Sequence, residues 1–187
     1  NTTYYFRAYI KTNFGIVYGE EKSFKTNSIT GTINGREWVD LGLPSGLKWA
    51  TCNVGASSPE DYGDYFAWGE TTTKAEYSSS NGITNGLTIP QLHSQGYIDG
   101  SGNLTPSHDA ATANWGGSWR MPTKEELEEL KNECTWTWTT QNGKNGYKVT
   151  GSNGNHIFLP AAGYRYGSSL NLAGEYGYYW SSTPYVG

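Results

Sequence analysis

The stretch GSWRMPTKEELEELKNECTWTWTTQNGKNGYKVT, residues 117–150, sets a helix signature directly against strand signatures. Thr123 stands where an N-cap belongs, and Glu125 and Glu126 fall in the first turn, beside the positive end of the helix dipole. Leu127, Leu130 and Cys134 then recur at three- and four-residue spacing, which predicts a helix with those three as its buried face. TWTWTT alternates immediately afterwards and places Trp136 and Trp138 on one face, where burial is the favoured expectation, and GYKVTG supplies a further strand. Strands and helices grouped in runs rather than in regular alternation predict an α+β fold.

Working outward, REWVDLG and LKWATCNVG read as strands upstream, and NHIFLPAAGYR as a strand downstream. PSHDAATANWG predicts a second, shorter helix capped by Ser107 or Asp109 and ended by Gly116. Six Asn-Gly pairs, at Asn34, Asn81, Asn85, Asn142, Asn145 and Asn153, mark tight turns, because this dipeptide supplies the positive φ angles that hairpin turns require. Residues 71–106 read as a long loop, and a loop of that length in a compact domain is usually functional or flexible. Residues 1–26 alternate aromatic and polar positions around the turn TNFG, the pattern of a hairpin that would be marginal alone. NSITG follows as a polar linker.

Composition bounds the function. At 187 residues with 35% apolar and 15% aromatic content, the chain is expected to fold. Its 17 acidic and 13 basic residues give a net charge of −4 without a basic cluster, so nucleic acid and anionic lipid are not expected partners. No apolar run approaches the roughly 20 residues that span a bilayer, so no membrane insertion is expected within this chain.

WVDLGLPSGLKWATCNVGA, YFAWGE, DAATANWGGSWRMPTKEELEEL, FLPAAGYR and YYWSST together closely resemble the Fibrobacter succinogenes major paralogous domain, a family of secreted and surface proteins. The resemblance covers residues 31 onward. It implies a C-type lectin-like fold with two helices on mixed, mostly antiparallel sheets and a long irregular region carrying the ligand surface. TTYYFRAYIKTNFGIVYGEEKSFKT is similar to the last two strands of a fibronectin type III or immunoglobulin-like domain. The expected division is therefore 1–26 as the remnant of a β-sandwich, 27–31 as linker, and 32–187 as the lectin-like domain. The resemblance further implies that the last domain continues past residue 187 into strands that close its second sheet. The expected location is extracellular or on the outer cell surface.

Cys52 and Cys134 are an even pair that can form one disulfide in an exported protein, or remain two buried thiols. Formylglycine-generating enzymes share the broader lectin-like fold and use paired cysteines, but neither cysteine here sits in that family's late catalytic region, so catalysis is not expected. His93, His108 and His156 form no ligand pair, and no metal or cofactor is expected. Asp99, Ser101 and Asn103 start like a calcium loop, but Ala110 stands where the bidentate acid belongs. Trp38, Trp49, Trp68, Trp115 and Trp119 are expected in the core, and Arg120 beside an acid such as Asp109 or Glu70.

The end of the chain, GYRYGSSLNLAGEYGYYWSSTPYVG, mixes tyrosine, serine, glycine and asparagine as antibody paratopes do. Tyr164, Tyr166, Asn171, Tyr176, Tyr178, Tyr179 and Tyr185 are the candidate ligand-binding residues. Some lectin-like proteins are targets of diversity-generating retroelements that rewrite codons of these residue types. The expected function is non-catalytic recognition of a glycan or protein, with a purely structural surface repeat as the competing expectation.

Overall fold

A computed structural model describes residues 3–25 and 29–185, and the proposed linker residues Asn27 and Ser28 lie outside them. Four short strands open the chain: β1 (Thr3–Phe6), β2 (Tyr9–Thr12), β3 (Gly15–Tyr18) and β4 (Lys22–Lys25). They form one antiparallel ribbon, with β2 against β3 and β1 against β4. The inner pairing sets Tyr9 opposite Tyr18 and the outer sets Phe6 opposite Lys22, so the return strand carries one extra residue. Arg7 therefore faces both Glu20 and Glu21 across a β-bulge, which interrupts each arm of the predicted hairpin.

β5 (Thr30–Ile33), β6 (Arg36–Asp40) and β7 (Lys48–Ala50) make an antiparallel sheet in that order. Thr30 and Gly31, expected in the linker, belong instead to β5, where they pair with Val39 and Trp38. Three helices follow: α1 (Ile89–Ser94), α2 (Ala110–Trp115) and α3 (Lys124–Glu133). β8 (Thr135–Gln141), β9 (Lys144–Thr150) and β10 (His156–Pro160) form a second antiparallel sheet with β9 central. β11 (Tyr164–Tyr166) and β12 (Ser169–Asn171) close as a small hairpin. The fold is mixed α+β, mostly antiparallel, with three helices rather than two. α1 lies inside the segment read as a loop.

Local chemistry accounts for the elements. Thr123 Oγ1 accepts from the Glu126 amide while the Glu126 carboxylate accepts from the Thr123 amide, a complete capping box at the start of α3. Asp109 caps α2 through the Thr112 amide, and Gly116 ends it. The pairs Asn34-Gly35 and Asn142-Gly143 both take positive φ and make the two-residue turns β5–β6 and β8–β9. Asn145-Gly146 does not turn at all; it runs within β9.

Side-chain burial follows from how α3 meets the sheets. Leu130, fully buried, packs with Val39, Leu41, Leu43, Val149 and Ile157, which joins α3 to both three-stranded sheets. Leu127 and Cys134 are only half-buried, and Cys134 caps the helix instead of extending its face. Gly151 lies so close to the Leu41 carbonyl that any Cβ there would overlap it. A second cluster puts α2 against the first sheet through Ala111, Trp115 and Trp119, and a third gathers Leu92 of α1 with Ile98 and Leu104. Of the tryptophans expected in the core, Trp115 and Trp119 are buried, while Trp38, Trp49 and Trp68 are half-buried. Trp136 is half-buried against the Leu130 cluster, while Trp138 is exposed, and both rings meet the Tyr147 ring edge-on.

Candidate functional site

The chain from Tyr164 onward crosses the molecule and is pinned at many points. Gly163 donates to the Tyr176 carbonyl and Gly174 to that of Ala161. The Tyr179 hydroxyl donates to the Pro160 carbonyl at 2.8 Å, the Trp180 indole to Phe66 at 3.0 Å, and the Trp68 indole to Ser181 at 2.8 Å. Ser182 bridges to Pro122 and Leu104 through its main chain, and Thr183 Oγ1 donates to Asn103. Burial on such ties makes this surface a fixed backbone carrying side chains outward.

The structure brings together only part of the predicted set. The Tyr164 and Tyr178 rings meet edge-to-face with centroids 5.1 Å apart, and Tyr176 joins them at 6.5 Å from Tyr178. Tyr176 and Tyr178 are each 57% exposed, and Tyr166 opens further from the neighbouring hairpin. Tyr179 differs: part of its ring is exposed, but its hydroxyl is sunk between Pro160 and the Asn53 amide, and burial pushes its pKa up to about 12. Its hydroxyl is a tether. Asn171 is half-buried in the β11–β12 pair, where its side chain donates to the Ser169 carbonyl. Tyr185 is almost fully exposed and lines a smaller hollow with Tyr179, Trp180 and Pro184. Trp180, 57% exposed, joins the surface without having been anticipated. Its signal was its position beside Tyr178 and Tyr179 in a segment whose other aromatics already pointed outward.

Beside the tyrosines opens a cleft of about 1730 Å³. Trp49 and Ala50 of β7, Phe158 of β10, Trp115 of α2 and Trp119 line it, as do Tyr164, Tyr176 and Tyr178. The indole N–H groups of Trp49 and Trp115 are buried and, among the described residues, have no partner. Of the charges that line it, Arg120, Glu126 and Lys48 are in ion pairs, whereas Asp64, Arg165 and Glu175 form none among the described residues. Arg120 forks onto Glu126 at 2.5 and 2.7 Å, which corrects the expected pairing with Asp109 or Glu70. Asp109 is occupied by the amides of Thr112 and Met121, and Glu70 by Lys74. Burial opposes the charge of Glu126, but Arg120 and the Thr123 amide outweigh it and hold the carboxyl below its usual range. Lys48 is paired with Asp40.

Cys52 and Cys134 are not joined: both are free thiols. Cys52 directs its Sγ at the Ala56 carbonyl, whereas Cys134 packs on the Leu130 cluster, and burial pushes both thiols up. Among the described residues no three acids, cysteines or histidines gather around one point. Asp99 turns its carboxylate back to the amides of Ser101 and Asn103. No helix among the described residues is long and apolar enough to cross a membrane. No protein-family model matches the chain, and no curated protein or solved structure matches it either.

Proposed function

We propose that this chain is a non-catalytic ligand-binding module of the Fibrobacter succinogenes major paralogous type, with a C-type lectin-like fold, displayed outside the cell. The observation that carries the reading is the cluster Tyr164, Tyr176 and Tyr178, exposed together on a backbone held by hydrogen bonds. Exposed aromatics normally scatter; three linked through Tyr178 beside an apolar cleft are the anatomy of a recognition surface. Tyrosine offers large contact area for the loss of few rotamers, and the fixed backbone limits the ordering cost of binding. The ligand is a glycan or a protein. The raised thiols are the opposite of an activated cysteine nucleophile, which favours this reading over a formylglycine-generating type of enzyme.

Tyr179 favours a second reading for its own position. Its sequestered hydroxyl serves the fold, as a purely structural surface repeat would require of all these aromatics. The two readings separate on a protein and glycan panel probed with the native chain and with Tyr164, Tyr176 and Tyr178 all changed to serine. Retained stability with lost binding supports recognition; loss of folding supports the structural repeat, and no ligand at millimolar affinity sinks recognition. If the locus is diversified by a retroelement, variation among isolates is expected at Tyr166, Tyr176 and Tyr178 but not at Tyr179.

A further inference from the structure

We propose that Tyr77 is the positioning residue of the tyrosine face: without contacting a ligand itself, it fixes the tip of the β11–β12 hairpin and so the place of Tyr166. This rests on the recognition reading above and names what holds part of that surface. The first observation is how little the hairpin holds by itself. It has three residue pairs, Tyr164 with Asn171, Arg165 with Leu170 and Tyr166 with Ser169, and among the described residues it extends into no larger sheet. A two-stranded ribbon is marginal alone. Its base is held, because Gly163 donates to the Tyr176 carbonyl and the Tyr164 ring leans on that of Tyr178 at 77°, which makes a notch. Its tip turns at Gly167, which has a φ of 58° and directly follows the exposed Tyr166.

The second observation is what meets that tip. The Tyr77 amide donates to the Gly167 carbonyl at 2.9 Å, and the Gly167 amide returns a bond to the Tyr77 carbonyl at 2.7 Å. Tyr77 is itself fixed through its hydroxyl, which donates to the Tyr65 carbonyl and accepts from the Lys74 amide at 2.9 Å. Arg165, on the inner face of β11, lies over the Tyr65 ring at 5.5 Å, so one segment receives both the Tyr77 hydroxyl and the hairpin. At 8% exposure Tyr77 is buried, yet it belongs to none of the three apolar clusters. The third observation is the ion pair behind it. Glu70 accepts from Lys74 Nζ at 2.6 Å and from the Ile83 amide at 3.0 Å, and Lys74 also donates to the Asn81 carbonyl. A pair this buried adds little net stability, but opening it strands a charge, which disfavours other arrangements of the loop. Order therefore passes from Glu70 and Lys74 through Tyr77 to Gly167 and Tyr166. A ring set in place before binding spares a partner the cost of ordering it.

The test is hydrogen exchange and backbone relaxation on the whole chain, free of any ligand. In the native protein the Tyr77 and Gly167 amides, each bonded to the other's carbonyl, should open together with one opening free energy. Tyr77→Phe keeps the ring and strips the hydroxyl; exchange at both amides should quicken roughly five- to tenfold, and the backbone order parameter of Tyr166 should fall. The Gly174 and Ser182 amides should keep their rates, and the contact of the Tyr164 and Tyr178 rings, held from the base, should persist. Thr84→Val is the matched control, since it strips a hydroxyl bond to the Trp68 carbonyl away from the bridge; it should leave Gly167 and Tyr166 unchanged. Unchanged exchange at Gly167 in Tyr77→Phe overturns the inference. So does equal acceleration in the two variants, or at Gly174 and Ser182, which would make Tyr77 an ordinary support of the fold. Tyr77 and Gly167 amides that open independently in the native protein overturn it without any variant. The recognition reading is decided separately, by the protein and glycan panel.

Discussion

Two stretches of this chain are rich in aromatics, residues 3–25 and residues 164–185, and they use them in opposite ways. In the ribbon, alternation puts Tyr4, Phe6, Ile10, Val17 and Phe24 on one face, and the rings contact mainly each other: Tyr4 stacks on Phe24 with centroids 5.4 Å apart, and Phe6 tilts against it. Its other face carries Arg7 over the Tyr18 ring. In the later stretch, Tyr179 and Trp180 are each fastened to a distant carbonyl, and their neighbours Tyr176 and Tyr178 inherit a fixed position. Aromatic composition alone does not distinguish a face awaiting cover from a face built for contact. What distinguishes them is where the hydrogen bonds go.

The contrast can be broken most forcefully from the core. Leu130→Ala removes a fully buried side chain that joins α3 to both three-stranded sheets, and a loss of about 2 to 5 kcal/mol is expected in urea unfolding. Hydrogen exchange of the Gly174 and Ser182 amides should accelerate with it, because they donate to Ala161 and Pro122, which adjoin β10 and the start of α3. Ribbon amides should keep their rates. Ribbon exchange rising in step would show the two stretches to be one cooperative unit.

Next in size is Tyr179→Phe, which leaves the ring but strips the hydroxyl from Pro160 and Asn53. A destabilisation of about 1 kcal/mol is expected, against a change within about 0.5 kcal/mol for Tyr176→Phe or Tyr178→Phe on the exposed surface. Equal costs at all three positions would erase the distinction between tether and contact residue.

How far this division could be read from the chain depends on how local its causes are. The caps of α2 and α3 and the turns at Asn34 and Asn142 are set by neighbours within four residues, and they fall where the spacing predicted. α1 was missed although Thr88, Pro90 and Gln91 form a capping box with a proline in the first turn, because the Asn- and Gly-rich residues before it read as loop. Arg120 found Glu126 rather than a distant acid because the capping box already holds that carboxylate six residues away. The ribbon bulge, the notch of Tyr164 and Tyr178 and the cleft between β7 and β10 arise from pairings between remote segments. No periodicity encodes them.

Acid offers a gentler perturbation. Arg120, with the Thr123 amide, holds Glu126 below its ordinary value of 4.5. A carboxyl depressed in the folded state adds stability that is complete above the ordinary value and is lost as pH falls through the folded one. Stability should therefore drop on acidification below about pH 4.5, and Glu126→Gln should flatten that part of the profile. The effect is modest because Arg120 is 46% exposed and the pair is screened by salt. An unchanged acid limb in the glutamine variant would assign the loss to other carboxylates, Asp40 with its Lys48 partner first among them.

The smallest effect is expected in the ribbon itself. Phe24→Thr removes both ring contacts of its apolar face but keeps a residue suited to a strand. With Tyr4 at 52% and Phe6 at 55% exposure, little apolar area is withdrawn from water by that stack, so global stability should move by less than about 0.5 kcal/mol. Exchange at the Tyr5 and Ser23 amides, which sit opposite one another in the outer pairing, should nonetheless quicken as the local stack is lost. A global loss above about 1 kcal/mol would carry the opposite meaning, because a cost of that size requires burial. The face of Tyr4, Phe6 and Phe24 would then be covered in solution, and the ribbon would resemble the pinned tyrosine surface rather than stand against it.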